Sequence, residues 1–181
     1  MKSFKEYLAD EAYYDELIEI SMQDKRRKND LGTYVCIEYI KNDALVKFYE
    51  WFSQFVKKPT PIEQLHTTII HSEKSPFFAD IMPELNGLTL ALDQPRFSLF
   101  GENQDILVIE FDSSVLQFRQ QSLLNRYKKL KTSFDVYRPH ITIEEDTDHT
   151  HASVAQLNSF ESPQAFFTLT ISKEVIEPVK E

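Results

Sequence analysis

Hydrophobic and polar positions alternate with a period of two in several short runs of this chain, and with a helical period in two longer ones. Thr33 to Ile40 (TYVCIEYI) is β-rich and alternating and predicts a first strand. Asn42 or Asp43 can cap a helix from Ala44 to about Val56 that carries Leu45, Phe48, Phe52 and Phe55 on one face. Lys57-Lys58-Pro59-Thr60-Pro61 ends it, because proline has no N–H to continue the ladder. Leu65 to Ile70 predicts a second strand, followed by a polar loop from His71 to Pro76. Leu88 to Leu92 and Arg96 to Phe100 read as two strands, or one interrupted at Pro95. A turn at Gly101-Glu102-Asn103 leads to a buried strand from Asp105 to Phe111.

Ser114 with Gln117 has the form of a capping box and opens a helix to about Lys131, with Leu116, Leu123, Tyr127 and Leu130 facing inward. A strand at Pro139 to Ile143 follows. Residues 144–164 are acidic and rich in Ser, Thr and Asn, which predicts a loop. Phe166 to Ile171 is the last predicted strand, with an extension toward Val175. Residues 1–30 read as a helical extension, closed by the basic run Lys25 to Lys28 and by Asn29-Asp30.

The pattern repeats. Strand, helix, connection and histidine-bearing strand occur at 33–70 and again at 105–144. His66 and His140 are 74 residues apart, and the same offset carries Tyr34 onto Val108. Two βαβ-like units predict an α+β fold of two lobes, approximately 33–87 and 88–181 within a domain spanning 31–181. Antiparallel sheets would flank a central groove, with the helices outside. Equivalent strands would meet about a pseudo-twofold axis, where ligands commonly sit.

The histidine strands bring the chemistry. Leu65-His66-Thr67-Thr68-Ile69 and Pro139-His140-Ile141-Thr142-Ile143 each place a histidine two residues before a threonine. Side chains alternate across a strand, so His66 with Thr68, and His140 with Thr142, share one face. Two imidazoles and two hydroxyls on one groove suit acid–base chemistry on a phosphodiester. One neutral imidazole takes a proton from the nucleophile, and a protonated one gives a proton to the leaving oxygen. Thr68 and Thr142 can donate to the non-bridging phosphate oxygens. The scheme needs no metal and no cofactor.

Composition narrows the partners. The net charge is −9. Residues 1–30 carry six Lys/Arg against eight Asp/Glu, residues 31–143 twelve against thirteen, and residues 144–181 two against eight. No basic stripe for long nucleic acid is evident, and a small phosphate-bearing ligand in a locally polar groove is compatible with these numbers. No run has the length of a membrane span, and the N-terminus lacks the apolar stretch of a signal peptide. The 14 Phe and 8 Tyr supply a large core. The single cysteine, Cys36, excludes an internal disulfide, and the expected location is the cytoplasm.

Two rival sites are weaker. His149-Thr150-His151 with Asp146 and Asp148 has metal-binding residue types, but in a predicted loop where such residues are common without metal. Cys36 as a nucleophile lacks a nearby partner, and a lone cysteine in a strand usually belongs to a core.

The paired His-x-Thr strands in duplicated lobes resemble the 2H phosphoesterase superfamily, which includes 2′-5′ RNA ligase-like proteins and cyclic nucleotide phosphodiesterases. Within it, Gly32-Thr33-Tyr34-Val35, His66-Thr67-Thr68-Ile69-Ile70-His71-Ser72, and Asn103-Gln104-Asp105-Ile106-Leu107-Val108 ahead of Pro139-His140-Ile141-Thr142 are similar to the phage anti-CBASS phosphodiesterases. The opening MKSFKEYL also resembles leaders of tailed-phage proteins.

The resemblance implies cleavage of 3′-5′ bonds in cyclic di- or trinucleotide messengers by attack of the ribose 2′-OH, in the cytoplasm of an infected host cell. It also implies that Tyr34 stacks on a base, the other reading of Tyr34 being a core or cross-strand aromatic. The family's C-terminal region closes over the ligand. Here that region is acidic and has no tryptophan, the only one being Trp51. The alternatives are a 2′,3′-cyclic phosphodiesterase or RNA end-processing enzyme, and a non-catalytic nucleotide sponge.

Overall fold

The computed structural model describes residues 32–132, 134, 136–160 and 167–179. The predicted N-terminal helix, and Phe166 at the start of the last predicted strand, lie outside the described residues.

Among the described residues, seven strands and three α-helices follow one another as β1 (Thr33–Tyr39), α1 (Asp43–Phe52), β2 (His66–Ser72), β3 (Thr89–Ala91), β4 (Asp93–Phe100), β5 (Ile106–Asp112), α2 (Ser114–Arg126), β6 (His140–Glu144), α3 (His151–Phe160) and β7 (Thr168–Pro178), with a short 3-10 turn at Ile62–Gln64 before β2. They form two sheets, β2-β1-β7-β3 and β4-β5-β6. Every pairing is antiparallel. Strands β2 and β6 are the edges of their sheets and touch each other. The two histidine strands therefore meet at the junction, as the repeat predicts.

The sheets do not divide the chain at residue 88. β3 and β7, both beyond that boundary, complete the first sheet. The physical reason is the length of β7, which pairs with β1 from Thr33↔Pro178 to Tyr39↔Ile171 and with β3 on its other side.

α1 forms where the pattern predicts. The Asn42 side chain accepts from the N–H groups of Ala44 and Leu45, both at 3.1 Å, and satisfies two of the free donors of the first turn. Leu45, Phe48 and Phe52 are buried. The helix stops at Phe52 rather than Val56, where the chain tightens into turns ahead of Lys57. α2 is capped by Ser113, one residue before the predicted cap, and ends at Arg126. Tyr127 and Leu130 are still buried, but from beyond the helix. The Tyr127 hydroxyl donates to the Asp80 carbonyl at 3.2 Å and its ring packs on Phe78.

Residues 144–164 are not simply a loop, because α3 occupies 151–160. Its start is a reciprocal cap: Ser153 N donates to Thr150 Oγ1 at 3.3 Å, and Thr150 N to Ser153 Oγ at 2.9 Å. Asn158 then grips the open edge of β4. Its Oδ1 accepts from Phe97 N at 2.8 Å and its Nδ2 donates to Phe97 O at 2.9 Å. α3 thus covers a sheet edge that would otherwise offer unpaired backbone.

One apolar cluster joins the sheets and helices, from Val35 and Ile37 through Phe48 and Phe97 to Ile141 and Leu169. Trp51 of α1 stacks on Phe97 of β4 at 5.6 Å, so the first helix also packs on the second sheet. A buried ionic knot adds to this. Arg119 of α2 donates through Nε to Glu174 of β7 at 2.8 Å and through Nη2 to the Met82 carbonyl at 2.7 Å. The other Glu174 oxygen accepts from the backbone N–H groups of Glu84 and Leu85.

Candidate active site

Both histidine strands carry a bulge at the same place. In β2, Thr68 pairs with Cys36 but Ile70 pairs with Val35, so Ile69 is an extra residue. In β6, Thr142 pairs with Val108 but Glu144 pairs with Leu107, so Ile143 is extra. The register therefore equates Cys36, not Tyr34, with Val108, an offset of 72 residues. The second connection is two residues longer, which accounts for the difference from 74.

An extra residue inverts the alternation beyond it. Ile69 and Ile70 are both buried, and His71 returns to the face of His66 and Thr68. The predicted polar loop starting at His71 thus begins inside the strand. Across from it, Tyr34 packs edge-on against both rings, with centroids 6.4 Å from His66 and 6.0 Å from His71. The Tyr34 hydroxyl is 3.0 Å from Thr68 Oγ1. In β6 the same inversion buries Glu144, which accepts from the N–H groups of Lys57 and Lys58 and from Thr147 Oγ1.

The two imidazoles are held identically. His66 Nδ1 lies 2.8 Å from the Gln64 carbonyl, and His140 Nδ1 lies 2.8 Å from the Arg138 carbonyl. A carbonyl only accepts, so each Nδ1 carries the proton and each Nε2 is left as the working nitrogen. Burial holds the His140 pKa below its ordinary 6.5, and a charge on His66 would lower it further. His140 is thereby biased toward the neutral, basic form. Burial raises the Tyr34 and Tyr137 hydroxyls, so both act as neutral hydrogen-bonding groups. It also raises the Cys36 thiol to about 11, which does not suit a nucleophile.

A cavity of about 480 Å³ opens beside His140, within the size range of small-molecule sites. Thr68 and His140 line it, together with Phe100, Gln104, Tyr137 and Arg138. Tyr137 spans the lobes, its hydroxyl donating to the Thr68 carbonyl at 3.1 Å. Phe100 packs on His140 with ring centroids 4.5 Å apart. The far wall is the β4–β5 turn, where Gly101 has φ +88° and Gln104 φ +57°. A Cβ on Gly101 would also sit 2.8 Å from Asp105 Oδ1, so the turn requires glycine. Sequence reasoning missed Phe100, Tyr137 and Arg138. The signal for the last two was their position directly ahead of Pro139-His140.

The rival residues lie elsewhere and are engaged. His149 Nε2 donates to the Phe55 carbonyl at 3.0 Å, and Asp148 pairs with Lys57. His151 begins α3. Among the described residues, no three His, Cys, Asp or Glu side chains are grouped to hold a metal ion. Among the same residues, no helix is long and apolar enough to cross a membrane.

The fold is similar to known structures. Escherichia coli LigT in its apo form superposes with a TM-score of 0.52 at 12% identity, covering 84% of this chain and 96% of that one. A structure described as a phosphoesterase gives 0.50 at 12% identity, covering 83% and 96%. At that identity the likeness concerns the fold, which is that of the 2H phosphoesterases. No curated protein sequence matches. The family described as Anti-CBASS protein Acb1 matches residues 31–181, a span that contains both sheets and both His-x-Thr strands, and the chain belongs to that family.

Proposed function

We propose that this protein is a metal-independent phosphodiesterase that opens 3′-5′ bonds of cyclic di- or trinucleotide messengers, and so disarms CBASS signalling in the host cytoplasm. The observation that carries the reading is the pair of imidazoles, each with Nδ1 tied to the carbonyl two residues earlier and, among the described residues, no hydrogen-bond partner at Nε2. The family's anti-CBASS description supports the substrate class.

In this reading His140, kept neutral by burial, takes the proton of the ribose 2′-OH. The 2′-oxygen bonds to phosphorus while the bond to the 5′-oxygen breaks. His66, protonated, gives its Nε2 proton to that 5′-oxygen. Thr68 and Thr142 donate to the non-bridging oxygens as charge builds there. If Tyr34 donates to Thr68 Oγ1, the Thr68 proton stays available for the phosphate. Water then opens the 2′,3′-cyclic phosphate with the two histidine roles exchanged.

The test is chromatography of 3′,3′-cGAMP incubated in excess EDTA with wild type, His66→Ala and His140→Ala. Wild type alone should give linear product, and each substitution should lower the rate by about 10²–10⁴-fold, the usual worth of a positioned acid or base. Cleavage of added 2′,3′-cyclic AMP but not of cGAMP would move the function to RNA end processing. Tight binding without cleavage, retained in both variants, would leave a nucleotide sponge.

A further inference from the structure

The Arg138 side chain does something separate from its carbonyl, which holds His140. Its guanidinium carbon lies 4.3 Å from the Phe100 ring centroid, and Nη1 donates to Glu110 Oε2 at 3.4 Å. The Glu110 side chain is 5% exposed and that of Arg138 is 53% exposed. A buried carboxylate thus anchors from inside a cation whose other face opens on the cavity. Among the described residues, Arg138 is the one Lys or Arg lining that cavity, and its remaining guanidinium nitrogens have no hydrogen-bond partner. Phe100 also packs on His140, so guanidinium, phenyl ring and imidazole form one continuous row.

A cyclic dinucleotide brings two anionic phosphates. The histidine pair, sharing one proton, compensates the phosphate that reacts. The other would enter the cavity uncompensated and beside Glu102, which also lines it. We propose that Arg138 binds the non-scissile phosphate of a cyclic oligonucleotide through its free guanidinium donors, an inference that rests on the phosphodiesterase reading above. A guanidinium presents a fork of donors matched to phosphate oxygens, and Glu110 fixes its orientation before the ligand arrives. Arg96 also pairs with Glu110, so replacing Arg138 does not orphan the buried carboxylate.

The experiment compares two ligands with the same bases and different charge. These are 3′,3′-cGAMP, with two phosphates, and the linear dinucleoside monophosphate GpA, with one. Calorimetric Kd values are measured in a His66→Ala background, with and without Arg138→Gln. Loss of a charge-assisted contact should weaken cGAMP by about tenfold or more and GpA by less than about twofold. Arg138→Lys should restore part of the loss, and added salt should shrink the effect. Equal weakening of both ligands, or of neither, would overturn the assignment. If wild type cleaves neither ligand the enzymatic reading fails, yet the ratio of Kd values still decides the role of Arg138.

Discussion

The tautomer of each imidazole is decided by a backbone atom. A free Nδ1 would let the ring swing and exchange protonation sites, whereas the Gln64 and Arg138 carbonyls fix the proton there and present Nε2. Burial lowers the pKa of His140 and favours its neutral form. If His140 is the base, the acid limb of the kcat/KM profile should therefore fall below pH 6.5, the ordinary histidine value. A limb at or above 6.5 in the wild type would reverse the roles.

The same shift sets a stability difference. Above 6.5 His140 is neutral in folded and unfolded chains and contributes no pH dependence. Below 6.5 the unfolded chain takes the proton first, so stability falls toward the lower folded pKa. Urea titrations at pH 7.5 and 5.5, about one unit either side of the ordinary histidine value, should show wild type losing more stability than His140→Gln.

At the scale of elements, the bulges matter more than the strands that hold them. One extra residue after each His-x-Thr turns the chain so that His71 joins the groove and Glu144 turns inward. Glu144 then ties down the Lys57–Lys58 segment that leads into the other histidine strand. α3 plays the matching part at the far edge, where Asn158 replaces a missing strand for Phe97. Asn158→Ala removes both bonds and should cost about 1–3 kcal/mol, given the typical worth of a part-buried hydrogen bond. Urea denaturation checks the value, and no change in midpoint would mean that water replaces the side chain. This helix was hidden in the sequence, since Val154 is the one buried apolar residue among its described side chains and a single position shows no period.

Across the whole molecule, long-range ties fasten α2 and the 82–85 segment to the first sheet. Glu174 arrives from near the C-terminus and Arg119 from α2, and they meet in the interior with Met82 and Leu85. Arg119→Met leaves the carboxylate with two backbone donors but no counter-charge, and should destabilise by about 3–5 kcal/mol, measured by urea denaturation. Arg119→Met with Glu174→Gln should recover part of that loss. A double variant no more stable than Arg119→Met would show that packing of the arginine stem, not charge, is what matters.

The sequence alone determined the repeat, the first-lobe helix and the two His-x-Thr strands, because alternation and capping are local and His66, Thr68, His140 and Thr142 need only a period of two to share a face. It placed Tyr34 in the first strand but not its position edge-on to His66 and His71. Tertiary structure decided what depends on partners distant in the chain. Among these are the pairing of β7 with both β1 and β3, the bulges that exist only relative to a neighbouring strand, and the burial that lowers the His140 pKa. Arg138 is of the same kind. Its neighbours Phe100 and Glu110 lie 38 and 28 residues away, a separation that no local pattern records.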